Sequence, residues 1–324
     1  MKGIYLWSVV LIFICMVLLP LFSMDKATIP NNQSQPPDPP HTENVESFRM
    51  YLTEEDKIVN ITARDYCIGV VLAEMAAEYE LEALKAQSVV AYTYAKYKSN
   101  LRQDEDYDIT DTSKKDQAFL SVEKAKERFG DNYNKYVEKV TSAVDSVLGQ
   151  TILYDGKPIL AACHSISGGK TESATDIWGG EYPYLMPVES VGDVLNPKYL
   201  TEVTVSTDDM KSALKTLEIT TDKDPSKWFD NLNRTDSGTV LKLTACGTEI
   251  KGSELRTALG LRSANFDIAY SNGNFKFTVR GYGHGVGMSQ YGAQFMALQG
   301  SSYQEIIKWY YTDCEISNIS GTAE

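Results

Sequence analysis

Between Gly281 and Gly287 every second residue is glycine; the stretch continues as Gly287-Met288-Ser289-Gln290-Tyr291-Gly292-Ala293. Alternate glycines make neither a good helix nor a good strand. Each one adds backbone freedom that folding must remove, and each takes away a side chain that would pack. The segment is therefore expected to be a loop whose backbone comes very close to something else. His284 and Ser289-Gln290 are the side chains it presents, just before a helix whose first turn offers free N–H groups. A dinucleotide site is excluded, because the pattern is not Gly-x-Gly-x-x-Gly between a strand and a helix with a later ribose-binding acid.

Two other stretches are polar or glycine-rich where a core would be apolar. In Gly69-Val70-Val71-Leu72-Ala73-Glu74-Met75-Ala76, Glu74 ends a strongly apolar helical run. A helix C-terminus and an apolar setting both disfavour the charged carboxylate. That is what a general acid needs if it is to hold a proton near neutral pH. The other stretch is Cys163-His164-Ser165-Ile166-Ser167-Gly168-Gly169-Lys170-Thr171-Glu172. It lacks the spacing of a phosphate-binding loop. Adjacent His164 and Ser165 would point apart on a strand, which argues against a nucleophile and its base. Trp178-Gly179-Gly180 and Tyr182-Pro183-Tyr184-Leu185 follow, with aromatics suited to stacking on sugar faces.

The N-terminus has a different character. Ile4 to Phe22 is a run of 19 residues without charge, close to the roughly 20 that span a bilayer as a helix. The exit, Leu21-Phe22-Ser23-Met24, offers no small-x-small cleavage site. Ile12-Phe13-Ile14 likewise excludes Cys15 as a lipidation site. Residues 1–24 are thus expected to be a cytoplasmic tip and membrane anchor, with Lys2 favouring a cytoplasmic N-terminus. Residues 25–44, with Pro30, Pro36, Pro37, Pro39 and Pro40, form a polar spacer. Residues 45–324 form an extracytoplasmic domain.

Within that domain the expected fold class is α+β, because helical and strand-rich stretches are segregated. Strands fall within Phe48–Ile61, and Thr62 caps a helix, with Asp65 three residues on. Helices follow at about Leu81–Lys98, Asp116–Arg128 and Asn132–Leu148. Thr151–Tyr154 and Ile159–Ala162 make a hairpin around Asp155-Gly156, and Phe266–Ala269 and Phe275–Arg280 another around Asn272-Gly273. Leu200–Ser206 and Val240–Thr244 are strands. Ser253–Leu261, Tyr291–Gln299 and Tyr303–Tyr310 are helices. Cys67, Cys163, Cys246 and Cys314 stand apart with no Cys-x-x-Cys pair, and buried thiols are expected in preference to disulfides. Cys163-His164 lacks a usual zinc-ligand spacing, so no metal and no cofactor are expected.

The three stretches, in this order, resemble the SpoIID/LytB family. The resemblance is carried by Glu74-Met75, Glu82-Ala83-Leu84-Lys85-Ala86-Gln87, His164-Ser165-Ile166-Ser167-Gly168-Gly169, Trp178-Gly179-Gly180 and Gly283-His284-Gly285-Val286-Gly287-Met288-Ser289-Gln290-Tyr291-Gly292-Ala293. It covers about residues 45–315. It implies a peptidoglycan lytic transglycosylase that cuts between N-acetylmuramic acid and N-acetylglucosamine during sporulation engulfment, preferring glycan stripped of stem peptides. Glu74 maps to the family's essential acid. His164, Ser165, Tyr184, His284, Ser289, Gln290 and Tyr291 would position the sugar. The resemblance also implies partners: the sporulation amidase SpoIIP and the membrane protein SpoIIM. Three positions depart from the pattern. Ala76 stands where Pro is usual, Tyr92 where Arg is common and Met186 where Lys is common. These departures keep open a second class, a glycan-binding scaffold that assists a partner amidase.

The net charge is −13, and since Lys2 is the only charge in the first 24 residues, the remainder carries −14. Such a balance argues against nucleic acid, which needs clustered cations. It further suggests that glycan binding rests on neutral contacts through Tyr, Gly and Ser rather than on long-range attraction.

Overall fold

Residues 46–318 are described by a computed structural model. The apolar run Ile4–Phe22 and the Pro-rich spacer lie outside the described residues. Among the described residues no helix is long and apolar enough to cross a membrane.

The chain enters through an antiparallel pair, β1 (Ser47–Leu52) and β2 (Lys57–Thr62). Thr62 then caps helix α1 (Ala63–Glu74), its hydroxyl accepting from the Asp65 N–H at 3.0 Å. Helix α2 (Leu81–Leu101) is buried almost all round between Ala83 and Ala95, as befits a helix at the centre of a core. Its buried hydroxyls bond back to its own backbone: Ser88 to the Leu84 carbonyl and Thr93 to the Val89 carbonyl, each at 2.7 Å. Strand β3 (Ile109–Thr110) lies parallel to β1. Helices α3 (Val122–Phe129) and α4 (Tyr133–Val147) follow.

One expectation fails here. Asp116–Arg128 is helical only from Val122, where Ser121 provides the cap. The preceding residues are held by long-range partners instead. Asp116 accepts from the Thr110 N–H at 2.9 Å and from Arg102, and the Ala118 N–H is taken by Glu74. Side chains thus supply the bonds that a helix would have supplied.

Strand β4 (Gln150–Tyr154) pairs with β5 (Lys157–Pro158) on one edge and with the last strand on the other. The turn between β4 and β5 has Asp155 and Gly156 at φ of 50° and 71°, the twist a two-residue hairpin requires. The second arm is shorter than expected: β5 ends at Pro158, one further bond runs from the Ile159 N–H to the Ile152 carbonyl at 3.2 Å, and the chain then runs on toward β6 (Cys163–His164). Helix α5 (Ala174–Trp178) precedes a separate strand-rich portion.

That portion, β7 (Leu200–Ser206), α6 (Thr207–Thr216), β8 (Phe229–Arg234), β9 (Val240–Ala245), β10 (Thr248–Lys251), α7 (Gly252–Leu259), β11 (Phe266–Ser271) and β12 (Asn274–Arg280), carries its own core. Two three-stranded sheets, β10-β9-β8 and β11-β12-β7, enclose Met210, Trp228, Leu255, Phe266 and Phe277. Strand β13 (Met288–Ser289), helices α8 (Gln290–Leu298) and α9 (Tyr303–Tyr310), and β14 (Glu315–Asn318) then return to the first core. Helices and strands are therefore mixed in an α+β arrangement. The strand-rich portion is inserted between the second and third motif stretches, so its ends hold both near the same place.

Candidate active site

Glu74 is the last residue of α1. The helix stops without a proline: Met75 is already extended, at φ −115° and ψ 153°, with its N–H donating back to the Val71 carbonyl at 3.0 Å. Ala76 in place of Pro therefore does not prolong it. One carboxylate oxygen of Glu74 accepts from the Ala118 N–H at 3.1 Å, and the other from Gln290 Nε2 at 3.0 Å. Both donors are neutral, and one fixes each oxygen. Arg128 lies by the Leu72 and Ala73 carbonyls, 3.4 Å from each, where a cation opposes the negative pole of the helix.

What the alternate glycines approach is the second motif. A Cβ on Gly287, at φ 73°, would lie 2.1 Å from the Ala162 carbonyl oxygen, and one on Gly283 2.8 Å from His164 Cβ. Only glycine permits this contact and this backbone together. Strand β13 runs parallel to β6, with Ser289 opposite His164. Buried Asp193 ties the two motifs: one oxygen accepts from the Ser289 hydroxyl and the other from the Ser167 N–H, each at 2.8 Å. Burial raises the Asp193 pKa, against the pull of these hydrogen bonds. Ser289 also caps α8, accepting from the Gly292 N–H at 3.2 Å. It anchors the loop and leaves its neighbour Gln290 to meet Glu74.

The two histidines bracket Val286. His164 Nδ1 lies 3.1 Å from the Val286 carbonyl, so Nδ1 carries the proton. Its Nε2 is then a buried acceptor, without a partner among the described residues. Burial lowers the His164 pKa to about 4. His284 Nδ1 accepts from the Val286 N–H at 3.1 Å, and burial, with His164 and Arg256 nearby, lowers its pKa too. Both rings are neutral at pH 7. Beside them, burial pushes the Cys163 thiol up to about 12, which removes it as a nucleophile. The four described cysteines are free, with Cys67 fully buried and the others partly so. No group of three or more His, Cys, Asp or Glu able to hold a metal occurs among the described residues.

A cleft of about 920 Å³ brings together Glu74, His164, Ser165, His284 and Gln290. Three other sequence candidates lie outside its lining. Tyr184 is buried, its hydroxyl accepting from the Leu160 N–H at 3.1 Å. Ser289 is enclosed with Asp193. Tyr291 packs edge-on against Tyr79, and its N–H donates to the Ser165 carbonyl at 3.1 Å. These three shape the walls from behind. Trp178 and Tyr182 do line the cleft, and the Trp178 and His284 rings meet edge to face with centroids 4.9 Å apart. The cleft also holds residues the sequence did not single out: Lys98, Lys114, Lys115, Asp116, Arg128 and Tyr282. Of these only Tyr282 sits in a motif. Tyr92 is buried and hydrogen-bonded to Glu46, and Met186 is exposed; neither belongs to the cleft lining.

Asp116, the other carboxylate in the cleft, is fully engaged. Its oxygens accept from Arg102, the Thr110 N–H and Tyr94, and Lys98 lies at 3.3 Å. Burial raises its pKa, but Arg102 and Lys98 outweigh that and leave it lowered. Glu74 is thus the cleft carboxylate without a charged partner among the described residues.

Comparison with known proteins gives a consistent answer. A family model described as "SpoIID: Stage II sporulation protein" matches residues 51–154. The chain is 36% identical over 286 residues to stage II sporulation protein D of Bacillus amyloliquefaciens, covering 86% of this chain and 81% of that protein. It is 34% identical over 275 residues to stage II sporulation protein D of Bacillus subtilis (strain 168), covering 84% and 79%. It is also 29% identical over 301 residues to the amidase enhancer of the same organism, covering 75% of this chain but 39% of that larger protein.

Proposed function

We propose that this chain, which belongs to the SpoIID family, is a lytic transglycosylase that cleaves the bond between N-acetylmuramic acid and N-acetylglucosamine in peptidoglycan strands during sporulation. The observation that carries this reading is the single available carboxylate. A retaining glycosidase needs a second carboxylate as nucleophile, about 5–5.5 Å from the first. Here the other cleft carboxylate, Asp116, has both oxygens occupied by Arg102 and its neighbours. Lytic cleavage needs only one acid/base.

In this mechanism protonated Glu74 gives its proton to the glycosidic oxygen as the bond to C1 breaks. The resulting carboxylate then takes the proton of the C6 hydroxyl. That oxygen closes on C1 to form the 1,6-anhydro sugar, and Glu74 ends protonated as it began. Gln290 and the Ala118 N–H hold the carboxyl in place. Trp178, Tyr182 and Tyr282 provide faces on which sugar rings stack. The same reading places the domain outside the cytoplasmic membrane, held by the Ile4–Phe22 anchor at the engulfing membranes. SpoIIP would supply stripped glycan there, and SpoIIM would be the membrane partner.

The test is the purified full chain with peptide-free glycan strands and mass spectrometry of the products. New 1,6-anhydro ends are expected, and Glu74→Gln should abolish them. Release by the variant at the wild-type rate would remove the assignment. One observation favours a second reading: the similarity to an amidase enhancer, together with Tyr92 lying in the core instead of a cleft cation. Binding of strands without new ends would identify a scaffold that assists an amidase.

A further inference from the structure

The cleft does not share the charge of the chain around it. Beyond residue 24 the protein carries −14, yet the cleft is lined by Lys98, Lys114, Lys115 and Arg128 against only Glu74 and Asp116. Lys98 is committed to Asp116, as is Arg102 behind it. Lys114, Lys115 and Arg128 have no ion-pair partner among the described residues, although acidic side chains outnumber basic ones overall. The exposed Lys114 and Lys115 are not on a loose tip. The Lys115 N–H donates to the Thr112 carbonyl at 3.2 Å, and the following residues are pinned by Asp116 and by the Ala118–Glu74 bond. Arg128 sits at the end of α1, next to Glu74. Three cations without an ion-pair partner among the described residues thus line the cleft, Arg128 giving only Nη1 to the carbonyls at the end of α1 that carries the proposed acid.

We propose that Lys114, Lys115 and Arg128 form an anion subsite for the lactyl carboxylate of muramic acid. The inference rests on the glycan reading above and names what the site selects within glycan. A muramic acid that bears a stem peptide has its lactyl carboxyl tied up in an amide. Removal of the peptide exposes a carboxylate, a fixed negative charge on alternate sugars. Lysine ammonium groups and a guanidinium fork are the partners such a group prefers. A preference for stripped glycan then comes from attraction to the group that stripping uncovers. This replaces the expectation of purely neutral sugar contacts, because the local field of a cleft is set by its lining and not by net charge.

The experiment uses the full chain in neutral detergent, in a Glu74→Gln background so that strands are not consumed. Two probes are compared: peptide-free strands with free lactyl carboxylates, and the same strands after the carboxylates are converted to amides. The free form is expected to bind about tenfold or more tightly, the scale of one or two charge-assisted hydrogen bonds. Raising the salt should erase the advantage, since exposed cations are screened. In Lys114→Gln/Lys115→Gln, whose exposed positions allow folding, and with Arg128→Gln added, the ratio should fall toward one. Equal binding of both probes, or a variant that keeps the wild-type ratio, overturns the anion subsite while leaving glycan binding intact. Failure to bind either probe overturns the glycan reading and the subsite with it.

Discussion

Gln290 and Glu74, 216 positions apart, meet where the first residue of α8 faces the last residue of α1, with Gln290 Nε2 donating to the carboxylate at 3.0 Å. The other oxygen is held by the Ala118 N–H. Glu74 is therefore oriented by groups from two distant parts of the chain. On the proposed mechanism Gln290→Ala leaves the acid present but poorly aimed. Turnover should fall about 10–100-fold, the cost of a misplacement near 1 Å, with a much smaller change in KM. Steady-state release of anhydro ends measures both. A change confined to KM would instead make Gln290 a substrate contact.

Asp116 is a structural carboxylate inside the cleft. Its side chain is fully buried, between Arg102 and Lys98. Asp116→Ala leaves two partly buried cations facing each other, a loss of about 3 kcal/mol or more. It also frees the segment that supplies the Ala118 N–H. Urea denaturation should show the destabilisation, and activity should fall further than the unfolded fraction explains. Wild-type stability in the variant would show that the ion pair contributes nothing net.

Features written locally in the chain could be read from it. Thr62 followed by Asp65 marked a helix start, and Asn272-Gly273 a two-residue turn, because both are decided by neighbours within four residues. The position of Glu74 at a helix end was legible for the same reason. The failures share the opposite cause. Residues 116–121 leave the helix because of partners at Arg102, Thr110 and Glu74. Ser289 and Tyr184 are polar members of the motif stretches, yet their hydroxyls serve Asp193 and the Leu160 N–H. Residue type alone cannot separate a group that faces substrate from one that holds the wall. Lys114 and Lys115 carry no motif at all; only the folded cleft shows that they lack partners.

A glycine of the hairpin turn and one of the glycine loop separate two costs that usually occur together. Gly273, at φ 76°, has nothing within 4 Å of a Cβ, whereas on Gly287, at φ 73°, the Cβ would meet the Ala162 oxygen at 2.1 Å. That oxygen is itself fixed by the Met288 N–H and the Tyr311 hydroxyl. Gly273→Ala should cost about 1 kcal/mol, the strain of a left-handed alanine. Gly287→Ala should cost at least about 2 kcal/mol more, from the overlap. Urea midpoints of the two variants decide it. Equal costs would mean that the two motifs do not press together in solution.

The neutral His164 makes acid stability predictable in sign. Its ordinary pKa of 6.5 is lowered by burial to about 4 in the fold. Between those values the unfolded chain binds a proton that the native protein refuses, so each step toward acid favours unfolding. The contribution of His164 is fully present above pH 6.5 and lost as the pH falls toward 4, in all about 3 kcal/mol. His164→Gln keeps an amide that can donate to the Val286 carbonyl but removes the titration. Its stability at pH 7 should differ from wild type by the packing change alone. Between pH 7 and 4.5 it should lose about 2–3 kcal/mol less than wild type, and slightly less again because His284 loses the repulsion of a neighbouring imidazole. Denaturant titrations at the two pH values give the comparison. Parallel losses would show that the His164 imidazole accepts its proton without unfolding, and hence that its Nε2 is open to solvent and not a dry acceptor in the cleft wall.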